Sequence, residues 1–279
     1  FSNTARSTSF VANANASLSG SAYVGGLAGA VYVGPSLYKF AETDQPRSVT
    51  LRRFASSVRD SFVLSSVIDN ESSTAAINPD DFSAGSAGAV AGGFVGGIYV
   101  EQSGSSSHTV TVSHVNFTGG SVPLTVTAQT LDGGSRGAAF AGGLIGYIQT
   151  DSAAYIRYEV SENSAAGNPA NSTFACDTEI LATQNGVGPA YAGGLFGYNA
   201  FNLTDSGATD GLHFRLTASE HAFRVTAMQS ALSSAGGKNL YDVSAGLYSS
   251  RLQAGYALSD FTLYADNAEV TAGRTAGSA

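Results

Sequence analysis

Few side chains in this sequence have the types and the spacing that catalysis or metal binding requires. Of the four histidines, His108 and His114 would share one face of a strand, but a zinc site needs more ligands than this pair supplies. The adjacent carboxylates Asp80 and Asp81 follow a proline, which is typical of a solvated turn rather than of a calcium or acid–base site. We therefore expect no catalytic residue, no metal and no cofactor, and we do not expect an enzyme.

The only cysteine, Cys176, is expected to be a core residue. It lies in an alternating run, so Phe174 and Thr178 should share its face of a strand. A free cysteine behaves as a small hydrophobic side chain and is usually buried. A single cysteine also allows no disulfide within the chain.

The composition indicates a folded chain. Its 279 residues include 13 tyrosines and 15 phenylalanines, whereas disordered chains have few aromatic residues. The formal net charge is −8 and Lys39 and Lys238 are the only lysines, so binding to nucleic-acid phosphates has no electrostatic support. No apolar run is long enough for a membrane-spanning helix. We therefore expect neither nucleic acid as a partner nor a membrane-spanning segment.

A glycine-rich motif recurs along the chain and predicts a repeat architecture. Its copies are YVGGLAGAVYV at 23–33, VAGGFVGGIYV at 90–100, FAGGLIGYIQT at 140–150, YAGGLFGYNA at 191–200 and VSAGLYSSRL at 243–252. Aligned on what we take as the second glycine, at positions 26, 93, 143, 194 and 246, the copies are 67, 50, 51 and 52 residues apart. A fixed period of this length is typical of solenoids and propellers.

Between the motifs lie alternating runs rich in Val, Thr and Phe, such as HTVTVSHVNF and PLTVTAQTL, which predict strands. At 52–68 a short helix is the alternative, although the residue types favour strands. We predict an all-β solenoid, or β-helix, of about five coils of roughly 50 residues, with three strands per coil. Residues 1–279 would form one elongated domain, with coils starting near 23, 90, 140, 191 and 243. Residues 1–20 would form an N-terminal strand segment, a candidate for pairing with a neighbouring subunit. A β-propeller is the competing fold, but its blades need four strands each.

If each motif is one continuous strand, both of its faces are apolar. One side would carry Leu27, Phe94, Leu144, Leu195 and Leu247. The other side would carry Ala28, Val95, Ile145, Phe196 and Tyr248, with Tyr147 and Tyr198 as further candidates for a packing or subunit interface. A strand that is apolar on both faces must be covered on both. We expect one face to line the interior and the other to be covered by loops or by a second subunit.

The motif resembles the GLUG-type repeat of bacterial surface proteins, whose core is Gly-Gly-Leu-x-Gly-Tyr followed by Asn. Residues 193–199, GGLFGYN, match this core over its full length, and GGLIGY at 142–147 matches most of it. The matches of GGLAG at 25–29 and GGFVG at 92–96 are partial. The resemblance implies an extracellular or cell-surface β-solenoid that serves as a stalk or adhesin.

Neither end of the repeat array has the polar cap that a solenoid usually needs. We therefore predict an extracellular structural protein that associates with itself, head to tail, into a surface filament. One alternative is a monomeric stalk or adhesin fragment that binds glycans or proteins of a host or cell surface. Another is a β-helical polysaccharide lyase or hydrolase. For an extracellular protein, the Asn-x-Ser/Thr sequons are candidates for glycosylation: Asn15, Asn70, Asn116, Asn171 and Asn202.

Overall fold

A computed structural model describes the chain in segments. They are residues 9–17, 21–33, 48–57, 61–69, 88–100, 109–131, 137–150, 155–157, 170–186, 188–201, 214–217, 221–230, 243–250, 262–264 and 267–275. The predicted turn at Asp80 and Asp81 lies outside these residues, as do His108 and two of the sequons, Asn70 and Asn202.

The described residues are almost entirely β-strand. In chain order the strands are β1 (Ser9–Ser17), β2 (Ala22–Gly25), β3 (Ala28–Val33), β4 (Ser48–Ser57), β5 (Ser61–Asp69), β6 (Gly88–Gly92), β7 (Val95–Val100), β8 (Thr109–Thr130), β9 (Ala138–Gly142), β10 (Ile145–Thr150), β11 (Tyr155–Arg157), β12 (Ala170–Gln184), β13 (Ala190–Gly193), β14 (Phe196–Phe201), β15 (Phe214–Thr217), β16 (Ala222–Ser230), β17 (Val243–Gly246), β18 (Thr262–Tyr264) and β19 (Asn267–Thr275). The region predicted as strand or short helix at 52–68 contributes to β4 and β5, so the strand prediction is confirmed.

The strands form three sheets. The broad sheet contains β1, β4, β5, β8, β11, β12, β15, β16, β18 and β19. The first motif sheet contains β2, β6, β9, β13 and β17, and the second motif sheet contains β3, β7, β10 and β14. The strand pairings among the described residues are parallel. The chain is therefore all-β with parallel sheets, and the antiparallel blades of a propeller are excluded for these residues.

The register places equivalent residues of successive repeats side by side. In the first motif sheet, Gly142 lies opposite Gly92 on one side and Gly193 on the other. In the broad sheet, β1 pairs with β5 of the same chain along its whole length, Ser9 to Ser17. The segment before the first motif therefore occupies the place that the later alternating runs occupy before the later motifs.

The three middle strands of the first motif sheet, β6, β9 and β13, are buried on both faces. On β9, Ala139 and Ala141 face the main core, which also contains the inward apolar side chains of the broad sheet, such as Phe174 and Ile180. Phe140 points the opposite way, into a separate aromatic cluster. That cluster comprises Tyr23, Val90, Tyr99, Ala138, Phe140, Tyr147, Tyr191 and Tyr198. Small side chains on one face and rings on the other fit a strand that lies between two layers.

The prediction that the motif forms one continuous strand is wrong, because the motif forms two strands joined by a bend. In the third repeat β9 ends at Gly142 and β10 begins at Ile145, and the two strands belong to different sheets. The second half of the motif folds back on the first, so the second apolar face is covered by the motif itself. The two halves of the motif form two of the three sheets, and the alternating runs form the third sheet.

The last copy of the motif is shifted by one residue from our prediction. Gly246 pairs with Gly193, the first glycine of its copy, and not with Gly194. Tyr248 therefore continues the column of Leu195, and Ser249 lies opposite Phe196. The predicted place of Tyr248 beside Phe196 in the column is wrong, because the last copy keeps only the first glycine of the pair.

Among the described residues, no helix has the length and apolar character needed to cross a membrane.

Candidate functional site

We call the bend of the motif the glycine corner. Backbone atoms lie so close together there that they leave no room for a side chain. In the third repeat it consists of Gly142, Gly143 and Leu144. A Cβ atom on Gly142 would lie 2.0 Å from the carbonyl oxygen of Ile145, inside the 3.0 Å below which real Cβ contacts essentially never occur. The turn is therefore too tight for any residue with a side chain at this position.

Hydrogen bonds join the glycine corners of successive repeats, and they all run in one direction. The Gly143 N–H donates to the Gly193 carbonyl at 3.1 Å, and the Leu144 N–H donates to the Leu195 carbonyl at 2.9 Å. The next step is the same, because the Leu195 N–H donates to the Tyr248 carbonyl at 3.0 Å. Each corner therefore donates to the repeat that follows it in the chain.

The aromatic cluster fills the space between the two motif sheets. Tyr147 and Tyr198 stack across neighbouring strands with ring centroids 5.7 Å apart and planes within 6°. Phe140 and Tyr191 stack in the same way on the facing strands, at 5.8 Å and 8°. Such ring pairs contribute about 0.5–1.5 kcal/mol beyond the burial of their area.

Tyr99 links this cluster to the first repeat. Its hydroxyl donates to the hydroxyl oxygen of Tyr23 at 3.0 Å. Its side chain is 4% exposed, and burial, more than the neighbouring Tyr23 and Tyr147, raises the pKa of Tyr99 well above its ordinary value. Tyr99 therefore stays neutral at physiological pH and acts as a packing residue rather than as an acid or base.

Buried amide side chains connect the broad sheet to the first motif sheet. The Gln184 amide nitrogen donates to the Gly137 carbonyl, and its oxygen accepts from the Gly186 N–H at 2.7 Å and from the Thr130 hydroxyl. One repeat later, the Gln229 amide donates to the Gly188 carbonyl at 3.1 Å. We did not identify these residues from the sequence, although Gln184 and Gln229 each come near the end of an alternating run.

The outer face of the broad sheet aligns side chains of six strands in one register. We call the central row the outer column: Asn13, Ser65, Thr127, Leu181, Thr226 and Thr271. These residues are half-buried or exposed. In the row two residues before it, Arg224 lies between Glu179 and Glu269, and its Nε is 3.7 Å from a Glu269 carboxylate oxygen. The charges of that row therefore alternate and do not form a carboxylate cluster.

The predicted interface residues are buried within the fold, apart from the half-buried Ala28. Val95, Ile145 and Phe196 are buried in the main core, in one column with the half-buried Ala28. Tyr248 is buried as well, at the shifted position, and its ring contacts Phe196.

Tyr147 and Tyr198 do not share a cluster with that column. They are buried in the aromatic cluster, on the side of the second motif sheet that faces the first. The bend of the motif separates the two sets, which is why an alternation drawn through the whole motif placed them together.

Cys176 and the sequons are placed as follows. Cys176 is buried with Phe174 and Thr178 on one face of β12, as predicted, and its Sγ lies 3.9 Å from the Thr178 hydroxyl oxygen. Asn15 is exposed on β1 and Asn116 is half-buried on β8. Asn171 lies on β12. Asn15 thus has clearer access for a glycan than Asn116.

Within the described residues, no group of three or more His, Cys, Asp or Glu side chains could hold a metal ion. The remaining histidine of the predicted pair, His114, lies on β8. Comparison with family models, with characterised proteins and with solved structures finds no match to this chain.

Proposed function

We propose that this chain is a β-solenoid of five repeats that acts as an adhesive module at a cell surface, with the outer face of the broad sheet as its binding surface. The outer column carries the proposal. Its strands are about 4.8 Å apart, and all of its side chains except Leu181 carry a hydroxyl or an amide group. Beyond the first repeat, the described strands of the two motif sheets are mostly buried on both faces, so the broad sheet is the regular face open to a partner.

The chemistry of this face favours a neutral, hydroxyl-bearing polymer such as a polysaccharide. Thr127, Thr226 and Thr271 each offer a donor, an acceptor and a methyl group. The alternating charges of Glu179 and Arg224 in the neighbouring row leave no strong field of one sign, so a highly charged polymer would gain little here.

Two further observations support the solenoid and its location. The 50-residue period of the sequence coincides with the parallel pairing of β6, β9 and β13, which is how solenoid repeats stack. The extracellular location rests on the resemblance of residues 193–199 to the GLUG-type repeat.

The binding proposal is tested with purified chain and insoluble polysaccharides in a pull-down assay. Thr127→Asp combined with Thr226→Asp should reduce retention at least tenfold, since it places two charges in the outer column without touching the core. The matched control is Leu131→Asp, at an exposed position that follows β8 rather than lying in the outer column. Equal retention of all three proteins, or no retention of the unsubstituted chain on any neutral polysaccharide, would refute the proposal.

The surface location is tested separately in the source cells. Protease treatment of intact cells should remove the protein, whereas a cytoplasmic marker should survive. Protection of the protein until the cells are lysed would contradict an extracellular role.

A head-to-tail filament is the second candidate, and exposed apolar side chains favour it. Leu27 and Tyr32, which belong to the first motif, are 47% and 46% exposed. Apolar side chains on an end surface favour stacking against another molecule, and a head-to-tail contact that does not close generates filaments. Electron microscopy of concentrated protein tests this candidate, because filaments with the repeat spacing would support it and single particles would not.

A further inference from the structure

In the second, third and fourth repeats, the second glycine of the pair leaves no room for a Cβ atom on the side of the following repeat. A Cβ atom on Gly93, Gly143 or Gly194 would lie 2.1, 2.1 or 1.9 Å from a carbonyl oxygen of the next repeat. These contacts are with backbone, which cannot rotate away as a flexible side chain can. The φ angles of these glycines lie outside the left-handed region, so it is space, not conformation, that excludes a side chain. Glycine is thus required at this position in the second, third and fourth repeats, each of which is followed by another repeat.

The fifth repeat has a leucine at this position. Gly246 pairs with Gly193, so the next residue, Leu247, stands where the earlier repeats have their second glycine. The corner hydrogen bonds give the same register, because the Gly194 N–H donates to the Gly246 carbonyl at 2.9 Å. By analogy with Gly194, a sixth repeat in the same register would bring a carbonyl oxygen to about 2 Å from the Cβ of Leu247.

The surroundings of Leu247 fit a residue at the end of a stack. Its side chain is half-buried and packs on the main core. In the fourth repeat the ring of Phe223 approaches Gly194, with its Cε1 3.1 Å from the position of a Cβ, and the register partner of Phe223 on β19 is the smaller Ala268. The last repeat thus has a large side chain, Leu247, at the glycine corner and a small one, Ala268, on the sheet, whereas the fourth repeat has Gly194 and Phe223 at these two positions.

We propose that Leu247 closes this end of the stack to any further repeat in the same register, whether that repeat comes from the same chain or from a second copy. The block is the Cβ atom, whose position is fixed by the backbone. The partner that Leu247 excludes is the first repeat of another copy. Without the Cβ atom of Leu247, the N–H groups of the fifth repeat could donate to the carbonyl groups at the glycine corner of that first repeat. The inference rests on the proposed stacking of repeats, but not on the proposed binding surface, and it counts against the head-to-tail filament, the second candidate function.

Sedimentation velocity of the full chain over a range of concentrations tests this inference. Leu247→Gly removes the Cβ and should allow concentration-dependent association. Leu247→Ala is the matched control, because it loses the same packing but keeps the Cβ, and it should stay at the mass of one chain, like the unsubstituted protein. Identical sedimentation of the two variants, or contacts between fifth and first repeats in assemblies of the unsubstituted protein, would overturn the inference.

A second comparison tests the inference even if the Leu247→Gly variant fails to fold. Gly143→Ala places a Cβ against a stacked repeat and should lose the cooperative thermal transition or show a much lower Tm. Gly273→Ala is the control, since a Cβ there meets only the Met228 sulfur at 3.7 Å, and its Tm should be unchanged. An unchanged Tm for Gly143→Ala would overturn the inference, because a Cβ at this position would then not prevent stacking. Polysaccharide retention is measured independently, so failure of the binding proposal is distinguishable.

Discussion

At the scale of single residues, burial leaves the Asn199 amide without a hydrogen-bond partner among the described residues and raises the pKa of the Tyr99 phenol. Among the described side chains, Asn199 is the residue whose buried nitrogen and oxygen both lack a hydrogen-bond partner. It lies opposite Ile148, which in turn lies opposite Ile98, so the same position is apolar in the two preceding repeats. An unsatisfied buried amide costs free energy that an apolar side chain of similar size would not.

Asn199→Ile should therefore stabilise the fold by about 1–3 kcal/mol. The free energy of unfolding in urea measures the effect. The converse variant, Ile148→Asn, creates a second orphaned amide and should lower that free energy. A destabilised Asn199→Ile protein would mean that the amide has a role that the described residues do not reveal.

Tyr99 predicts a loss of stability at alkaline pH. Burial raises its folded-state pKa above the ordinary value of 10.0, so above about pH 10 the unfolded chain releases a proton that the folded chain keeps. Its contribution to stability is fully present below this pH and falls by about 1.4 kcal/mol per pH unit above it.

Tyr99→Phe should reduce that slope, because phenylalanine cannot ionise in either state. The free energy of unfolding measured between pH 8 and pH 11 gives the slope. Tyr32→Phe, at an exposed position, is the control and should leave it unchanged. Equal slopes for the Tyr99→Phe variant and the unsubstituted protein would show that Tyr99 ionises as readily in the folded state as in the unfolded one.

At the scale of elements, different interactions hold the two ends of the strands in the first motif sheet. The end at the glycine corner depends on missing side chains, as at Gly142 and Gly143. The other end depends on side-chain amides, since Gln184 satisfies backbone groups of residues 137 and 186. Because these groups are buried, the amide is needed to pair them.

Gln184→Leu should lower the free energy of unfolding by about 2–4 kcal/mol, because it leaves several buried polar groups without partners. Chemical unfolding monitored by circular dichroism measures the loss. Gln129→Leu makes the same change one residue before the partner Thr130, on the outer face, and should have little effect. If both variants lost the same stability, the buried amide would not be what holds this end of the strand.

The sequence predicted some of these elements and missed others for physical reasons. Apolar residues on both faces of the motif predicted a strand covered on both sides, and β9 and β13 are. The bend at Gly142 was missed because residues on both sides of it have strand character. The shift at Gly246 was missed because a single glycine can be aligned with either member of a pair, and only the register of β17 distinguishes them. Gln184 and the outer column follow only from knowing which strands are neighbours.

At the scale of the whole molecule, the repeats make a short, broad stack. The first motif sheet has five strands and so extends about 20 Å from first to last. By contrast, the 22 residues of β8 would span about 70 Å if fully extended. The broad sheet has more strands than either motif sheet, which is a further reason to place the function on it.

The central claim is that the repeats pair in parallel in one register, and a disulfide tests it most directly. Thr226 and Thr271 are register partners on β16 and β19, so their Cα atoms should lie about 4.8 Å apart, within the range that a disulfide can bridge. Thr226→Cys with Thr271→Cys should therefore cross-link rapidly under mild oxidation, as read by peptide mass. Thr226→Cys with Gly273→Cys is the control, because that diagonal of about 8 Å is too long. Cross-linking of the first pair alone is the predicted result, whereas equal cross-linking of both pairs, or none in either, would contradict the account.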